Sequence, residues 1–443
     1  IETQLAAPEP PARFLPGAGP SIDQYAKATG RARYTGDLGF HPDDEVKSPL
    51  FLKVLRSPHA HANLIAIDDS AAKRLSGYRG LVTWDDLPGI DDPKVARRDR
   101  HPLNRKARFV GDAIAAVVAD TQYAAQESLN ALRVSWQPLP HYDDAERMLR
   151  EDVKAVHDGG PVAGFGGAQP ADTPTIEYAE GDLDAGFRAA DRIVEGRYST
   201  QFHAHAQIEP HVCIAQWNGN RLKLWDSQQS VFHAREVMAD ILRVAPADID
   251  VQCAYVGGGF GGKCLDSDGK TAYQAIAAIA ARKFGRPVRY EYTLAEQLAA
   301  EDGRNPFVYQ MKTGVKNDGT ITAMWCRAVQ NTGAYASSGP AVCSVSGEAI
   351  VNTYRAGAFR YEGYSVYSNG PVGGEFRGFG HPQGVFAREL HMDEVATALG
   401  MDPLEFRRRN SKRPGDRASF QIEREVVLDN FAGVASLETA AAA

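Results

Sequence analysis

The chain lacks any run of about 18 consecutive apolar residues, so no segment of it reads as a membrane-crossing helix. Cysteine is scarce. Cys213, Cys253, Cys264, Cys326 and Cys343 are odd in number and scattered, with no CxxC pair among them. That spacing excludes the usual zinc, iron–sulfur and dithiol sites on this polypeptide and predicts reduced thiols in a cytoplasmic protein. An excess of positive charge is also missing. With 49 Lys and Arg against 56 Asp and Glu, the formal net charge is −7. The two signs are interleaved, which argues against nucleic acid or an anionic membrane as the main partner. The opening at Ile1 carries no signal-peptide pattern. What is present is ordinary: 443 residues, 43% hydrophobic and 24% charged, a length that fits about three domains.

The predicted fold class is α/β, a mixed α+β arrangement without internal repeats. Pro8, Pro10, Pro11, Pro16 and Pro20 forbid regular ladders and predict an extended arm over residues 1–20. Residues 21–145 alternate strand-like runs (50–55, 113–119, 132–136) with a helical segment at 123–131. Residues 146–175 are rich in glycine and proline and read as a linker. A second α/β region spans 176–430. In it, strands are expected at 192–202, 213–217, 249–256 and 288–292, and helices at 232–242, 270–284, 392–399 and from Asp402-Pro403 to Asn410. A hairpin is expected between 308–315 and 321–330, turned by Asn317-Asp318-Gly319.

Chemistry concentrates in one stretch, Tyr255-Val256-Gly257-Gly258-Gly259-Phe260-Gly261-Gly262-Lys263-Cys264. Glycines leave main-chain amides open to an oxyanion. Gly257 to Lys263 satisfies GxxxxGK, yet Cys264 stands where a phosphate loop needs a hydroxyl for magnesium. Gly257, Gly259 and Gly262 also satisfy GxGxxG, with Glu291 as a distant ribose-binding candidate. The helix, however, starts too late to sit under a pyrophosphate. A ligand-free glycine turn is the bland alternative. A second loop, Gly373-Gly374-Glu375-Phe376-Arg377-Gly378-Phe379-Gly380-His381-Pro382-Gln383-Gly384, favours one ligand shared between two loops. His203-Ala204-His205 and His59-Ala60-His61 place paired imidazoles on a strand face, where a metal is conceivable, but no cysteine or acid completes a site.

These loops, with Gln229 in Ser227-Gln228-Gln229, resemble the molybdopterin-binding large subunit of the xanthine oxidase family of molybdenum hydroxylases. Ala28-Thr29-Gly30-Arg31-Ala32-Arg33-Tyr34-Thr35-Gly36-Asp37, Arg56-Ser57-Pro58-His59-Ala60-His61-Ala62 and Val110-Gly111-Asp112 resemble its N-terminal hammerhead domain. Glu209-Pro210-His211, the two loops and Asp402-Pro403-Leu404-Glu405-Phe406-Arg407 resemble its first molybdopterin-binding domain. The resemblance implies a molybdenum–molybdopterin cofactor, the cytosine dinucleotide form included, held by Gln229, Gly259, Phe260, Gly261, Gly262, Glu375, Phe376 and Arg377. Gln229 and Arg377 are the implied catalytic residues, no side chain ligates the metal directly, and Phe379 forms one wall of a substrate slot.

The family's catalytic glutamate lies near the end of a longer chain, and Glu348 and Glu375 are poorly placed to replace it. Either the chain is truncated, or, as the resemblance to nicotinate dehydrogenase favours, the large subunit is split, with the glutamate on a second molybdopterin-domain chain. A 2Fe–2S subunit and a FAD subunit are the further expected partners. Cys264 and Val345 replace the two charges that steer a purine in xanthine-specific members. Gly374 and Glu375 stand where the copper-binding cysteine of carbon monoxide dehydrogenases would be. With Phe379, Cys264 and Val345 predict a small, less polar substrate: an N-heteroaromatic ring, an aldehyde, or an alicyclic or steroid-like compound. A cofactor-free assembly paralogue and a nucleotide-binding enzyme are the competing readings.

Overall fold

The computed structural model describes residues 21–91, 100–264, 273–418 and 426–443. The expected arm over 1–20 and the start of the helix expected from Lys270 lie outside the described residues.

Two seven-stranded sheets organise the chain. In the first, the strand order is Ile249–Gln252, Arg221–Asp226, Val212–Asn218, Val288–Glu291, Leu50–Arg56, Ala113–Ala119, Tyr78–Val82. Its centre is a parallel pairing of Leu50 with Val288 and Leu52 with Tyr290, so one sheet draws strands from both regions expected to be separate. The helix Tyr273–Phe284 buries every residue from Tyr273 to Ala281. Its alanines let it lie close to the sheet, and the Trp217 indole donates to the Ala278 carbonyl at 2.8 Å. Leu50, Leu52, Val54, Ala215, Leu222, Leu224 and Ile276 fill the core between them. Burial of such side chains contributes roughly 1.5–3 kcal/mol each.

The second sheet runs Arg192–Ser199, Phe307–Val315, Ile321–Gly333, Phe359–Tyr367, Val162–Gly164, Gly167–Gln169, with Ile176–Glu180 also paired to Phe359–Tyr367. The hairpin turned at Asn317-Asp318-Gly319 forms as its turn residues predict, with Gly319 at φ +90°. Residues 146–175 are not merely a linker, because Val162–Gly164 and Gly167–Gln169 join this sheet.

Two helices beside this sheet depart from the sequence expectation. Gly339–Val351 was not expected; its sequence carries Gly, Pro and Ser, but ten of its thirteen residues are buried and packing overrides their weak propensity. The helix expected at 392–399 is the second half of His381–Leu399. His381-Pro382-Gln383-Gly384, read as loop, is its first turn. Proline is tolerated there because the first amides have no partner within the helix. Gly384 gives close approach to its neighbour, since a Cβ there would lie 2.7 Å from the Ser346 carbonyl. The strand expected over 249–256 ends at Gln252, and the rest is loop.

Candidate functional site

Both ends of the first glycine loop are fastened to one carboxylate. Glu209 Oε2 accepts from the Gly257 amide at 2.6 Å, the Ser227 hydroxyl at 2.7 Å and the Lys263 ammonium at 2.8 Å. Lys263 Nζ also donates to Ser227 Oγ at 2.8 Å, and its side chain is wholly buried. Burial pushes the Lys263 ammonium below its ordinary pKa, while Glu209 opposes that shift. The lysine of the phosphate-like pattern is thus turned into the core, away from any ligand on the outer face.

Gln229 closes the loop from the other side. Its Oε1 accepts from the Gly261 amide at 3.0 Å and the Lys263 amide at 3.3 Å, and its own amide donates to the Lys263 carbonyl at 2.9 Å. Gln229 is exposed, and its NH2 group has no partner among the described residues. Gly259 is required beneath it, because a Cβ there would collide with Gln229 Oε1. Phe260 sits at φ +54°, a left-handed conformation that is uncommon for an aromatic residue, between Gly258 at +98° and Gly261 at +106°. Phe260 is 46% exposed. The amides of Gly258, Gly259 and Phe260 find no acceptor among the described residues.

The second loop meets the first directly. The Arg377 amide donates to the Phe260 carbonyl at 2.9 Å, and a Cβ on Gly261 would come within 2.7 Å of the Glu375 carbonyl. Gly373 and Gly374 pair in parallel with Gly303 and Arg304. The Arg304 guanidinium then donates to the Arg377 carbonyl at 2.9 Å and to Gln383 Oε1 at 3.1 Å, and lies 4.0 Å from the Phe376 ring centre. The Arg377 side chain is exposed and has no partner among the described residues. All the residues expected to hold a cofactor, Gln229, Gly259, Phe260, Gly261, Gly262, Glu375, Phe376 and Arg377, therefore belong to one continuous patch.

The three residues expected to line a substrate slot are less tightly drawn together. Phe379, at φ +46°, packs on the core cluster that includes Val342. A Cβ on its neighbour Gly380 would strike the Val342 carbonyl of the helix Gly339–Val351, which carries a half-buried Val345. Cys264 ends the first loop, with its amide donating to the Gly261 carbonyl at 3.1 Å. Glu348 lies on the same helix as Val345, and burial raises its carboxyl above the ordinary value.

Sequence reasoning named His203, His205 and His211 behind the loops without their roles and missed Gln207, Glu301 and Arg304 altogether. His203 and His205 do not share a strand face; His203 makes only an isolated bridge with Arg304. The His205 ring stacks on Phe376 with centres 4.4 Å apart, and its Nε2 donates to the Glu375 carbonyl at 2.7 Å. His211 Nε2 donates to the Gly262 carbonyl at 3.0 Å, and burial lowers its pKa. Glu301, also buried, lies between these imidazoles, and Gln207 donates to its Oε1 at 2.9 Å. Glu209-Pro210-His211 was legible as a motif; Glu301 and Arg304 carried no local signal. Among the described residues, no group of three or more His, Cys, Asp or Glu is arranged to hold a metal ion.

The donor set of this patch is an exposed amide NH2, an exposed guanidinium and unpaired main-chain N–H groups. It suits anionic oxygens on a large ligand, and it suits a metal only if that ligand brings the metal's donors with it. A molybdenum–pterin cofactor fits that description.

Comparison with known proteins agrees. Residues 168–411 match the molybdopterin cofactor-binding domain. Residues 29–140 match the a/b hammerhead domain of aldehyde oxidase and xanthine dehydrogenase. The chain is 34% identical to a probable xanthine dehydrogenase subunit of Bacillus subtilis, over 87% of this chain and 50% of that one. It is 32% identical to the nicotinate dehydrogenase large molybdopterin subunit of Eubacterium barkeri, over 93% of this chain and 92% of that one. The aldehyde oxidoreductase of Desulfovibrio gigas superposes with a TM-score of 0.82 at 28% identity, covering 95% of this chain and 45% of that one. The chain thus spans about half the length of the Bacillus relative and of the xanthine dehydrogenase molybdenum-binding subunits of Escherichia coli, which it covers to 52%.

Proposed function

Because this chain belongs to the xanthine oxidase family of molybdenum hydroxylases, as a molybdopterin-binding large subunit, we propose that it seats a molybdenum–pterin cofactor on the paired glycine loops. The assembled enzyme would then oxidise a carbon centre with oxygen from water. When bound, the cofactor supplies a Lewis acid and a two-electron sink. The protein's part is positional and electrostatic. Gln229 turns its NH2 outward because its carbonyl is engaged by Gly261 and Lys263. The amides of Gly258, Gly259 and Phe260 present N–H groups to anionic oxygens, and Arg377 supplies a guanidinium fork beside them. The Gln229 amide and the loop N–H groups are held by the protein's own hydrogen bonds, so little reorganisation of them accompanies charge development.

The observation that carries this reading is the hydrogen bond from the Arg377 amide to the Phe260 carbonyl at 2.9 Å, which joins the two loops. Metal and pterin analysis of the chain purified with its natural partners is the test. Molybdenum and pterin near one per chain support the reading. Their absence would sink it in favour of a cofactor-free assembly paralogue, and saturable ATP or NAD binding to the isolated chain would favour a nucleotide enzyme.

Finer elements of the proposal rest on the family membership and, for the substrate, on residues beside the loops. The base that completes the reaction sits on a second molybdopterin-domain chain, and electrons leave through 2Fe–2S and FAD subunits in the cytoplasm. The nearly full-length match to the Eubacterium barkeri large subunit supports such a division. Among the described residues no helix is long and apolar enough to cross a membrane. Cys264, Val345 and Phe379 would select a small, less polar substrate: an N-heteroaromatic ring, an aldehyde, or an alicyclic or steroid-like compound. Purine turnover by the unmodified complex would refute that selection.

A further inference from the structure

We propose that His205 and Glu301 form a proton-sharing pair that positions the second glycine loop against the first. The inference rests on the cofactor reading above, and it concerns two residues that face away from the ligand.

Hydrogen-bond accounting places the proton. His205 Nε2 lies 2.7 Å from the Glu375 carbonyl, which can only accept, so Nε2 carries a hydrogen. The other ring nitrogen, Nδ1, lies 3.3 Å from Glu301 Oε1, and both side chains are almost wholly buried. Two lone pairs facing each other in a dry interior would be strongly unfavourable. One proton must therefore sit between imidazole and carboxylate. The remaining neighbours do not supply it. Gln207 gives Glu301 Oε1 a neutral N–H at 2.9 Å, and His211 Nε2, 4.0 Å away, is engaged with the Gly262 carbonyl. The Lys263 ammonium is engaged with Glu209 and Ser227. Glu301 Oε2 and His205 Nδ1 have no well-formed hydrogen bond among the described residues.

With the proton on Nδ1, three interactions strengthen together. The imidazolium stacks on the Phe376 ring at 4.4 Å and 18°, donates to the carbonyl of Glu375, and faces the Glu301 carboxylate. Glu375 and Phe376 immediately precede Arg377. On the other side, the pair abuts the first loop at Gly262, where a Cβ would collide with Glu301 Oε1 and lie 2.9 Å from His205 Nδ1. A single ion pair thus touches both loops from behind. It orients them as the outer partners of metal ligands orient a site, without contacting the ligand.

The test uses the full chain and its natural complex with three variants: Glu301→Gln, His205→Phe and the double substitution. His205→Phe keeps the stack on Phe376 and removes both ring nitrogens. In the isolated full chain, 15N-imidazole NMR, with the resonance assigned through His205→Phe, should show a hydrogen on both His205 nitrogens. In Glu301→Gln the Nδ1 signal should move to the unprotonated range. An unprotonated Nδ1 in the unsubstituted chain would overturn the proposal, and that measurement does not depend on any variant folding. In the purified complex, molybdenum retention during dialysis should weaken on the order of tenfold in either single variant. The double variant should lose no more than His205→Phe, because the two residues act through each other. Losses that multiply, or unchanged retention in both single variants with equal melting temperatures, would also overturn it. If the unsubstituted complex holds no molybdenum, the cofactor reading fails, whereas the NMR result still decides whether the pair exists.

Discussion

Replacing Lys263 by methionine tests whether the first loop is clamped from behind. The Lys263 side chain is wholly buried and Glu209 is 12% exposed, so the pair has little water to fall back on. Removing one partner of a buried ion pair costs about 3–5 kcal/mol, because the other charge stays desolvated. Glu209 would still accept from the Gly257 amide and the Ser227 hydroxyl, which places the expected cost near the lower end, about 3 kcal/mol. At about 1.4 kcal/mol per decade this is roughly a 100-fold increase in loop opening. Hydrogen exchange of the peptide covering Gly257 to Cys264 reads it directly, without assuming that the whole chain unfolds in one step. The double variant Lys263→Met with Glu209→Gln should recover much of the loss, since no unpaired charge remains. Loop exchange changed by less than about threefold in Lys263→Met, or a double variant as open as the single one, would refute the clamp.

Gly261→Ala should separate the two loops. Gly261 sits at φ +106°, and an added Cβ would lie 2.7 Å from the Glu375 carbonyl, so backbone strain and overpacking together cost about 2–4 kcal/mol. The expected result is loss of molybdenum from the purified complex with a folded chain by circular dichroism. Cys264→Glu should give the assembled enzyme measurable purine turnover if that position selects substrate; no gain with full cofactor content would count against the slot. His391 predicts a pH effect. Burial holds it near a pKa of about 4. Its ring lies 2.9 Å from both the Tyr198 and Thr313 hydroxyls, and the Tyr198 hydroxyl also donates to Glu394. Its folded pKa is below the unfolded value of about 6.5, so its stabilising contribution is present above pH 6.5 and lost as pH falls toward 4, up to about 3 kcal/mol. Denaturation midpoints at pH 7 and pH 4.5 should therefore diverge more in the unsubstituted chain than in His391→Gln.

The parts of this molecule that were legible in the sequence are those whose signal is local. The turn Asn317-Asp318-Gly319 announces the hairpin because its glycine must adopt a positive φ. Asp402-Pro403 announces a helix start, and the Asp402 carboxylate does accept from the Glu405 amide at 2.9 Å. The glycine loops were visible for the same reason. The pairing of Leu50 with Val288 was not visible, because a parallel strand partner more than two hundred residues away leaves no mark on either segment. Nor was the helix Gly339–Val351, which is buried nearly all round and so has no polar face to set a period.

The same distinction runs through the candidate site. Phe260 and Arg377 could be picked out because they lie within glycine patterns, and glycine is informative wherever the backbone must approach a ligand, whereas Gln229 was carried by the family resemblance alone. Glu301 and Arg304 could not, and Glu209, Lys263 and His205 were visible only as motif members without their structural roles, since charged and polar residues of these types are ordinarily solvated and give no hint of burial. Yet their contacts decide where the legible residues stand. Glu209 and Lys263 close the first loop, Arg304 carries the second through the Arg377 carbonyl, and His205 reaches the second loop at Glu375. Each of these links joins residues tens to more than a hundred positions apart. A ligand-facing surface can therefore be read from local sequence, whereas the buried polar frame that holds it in place becomes visible only in three dimensions.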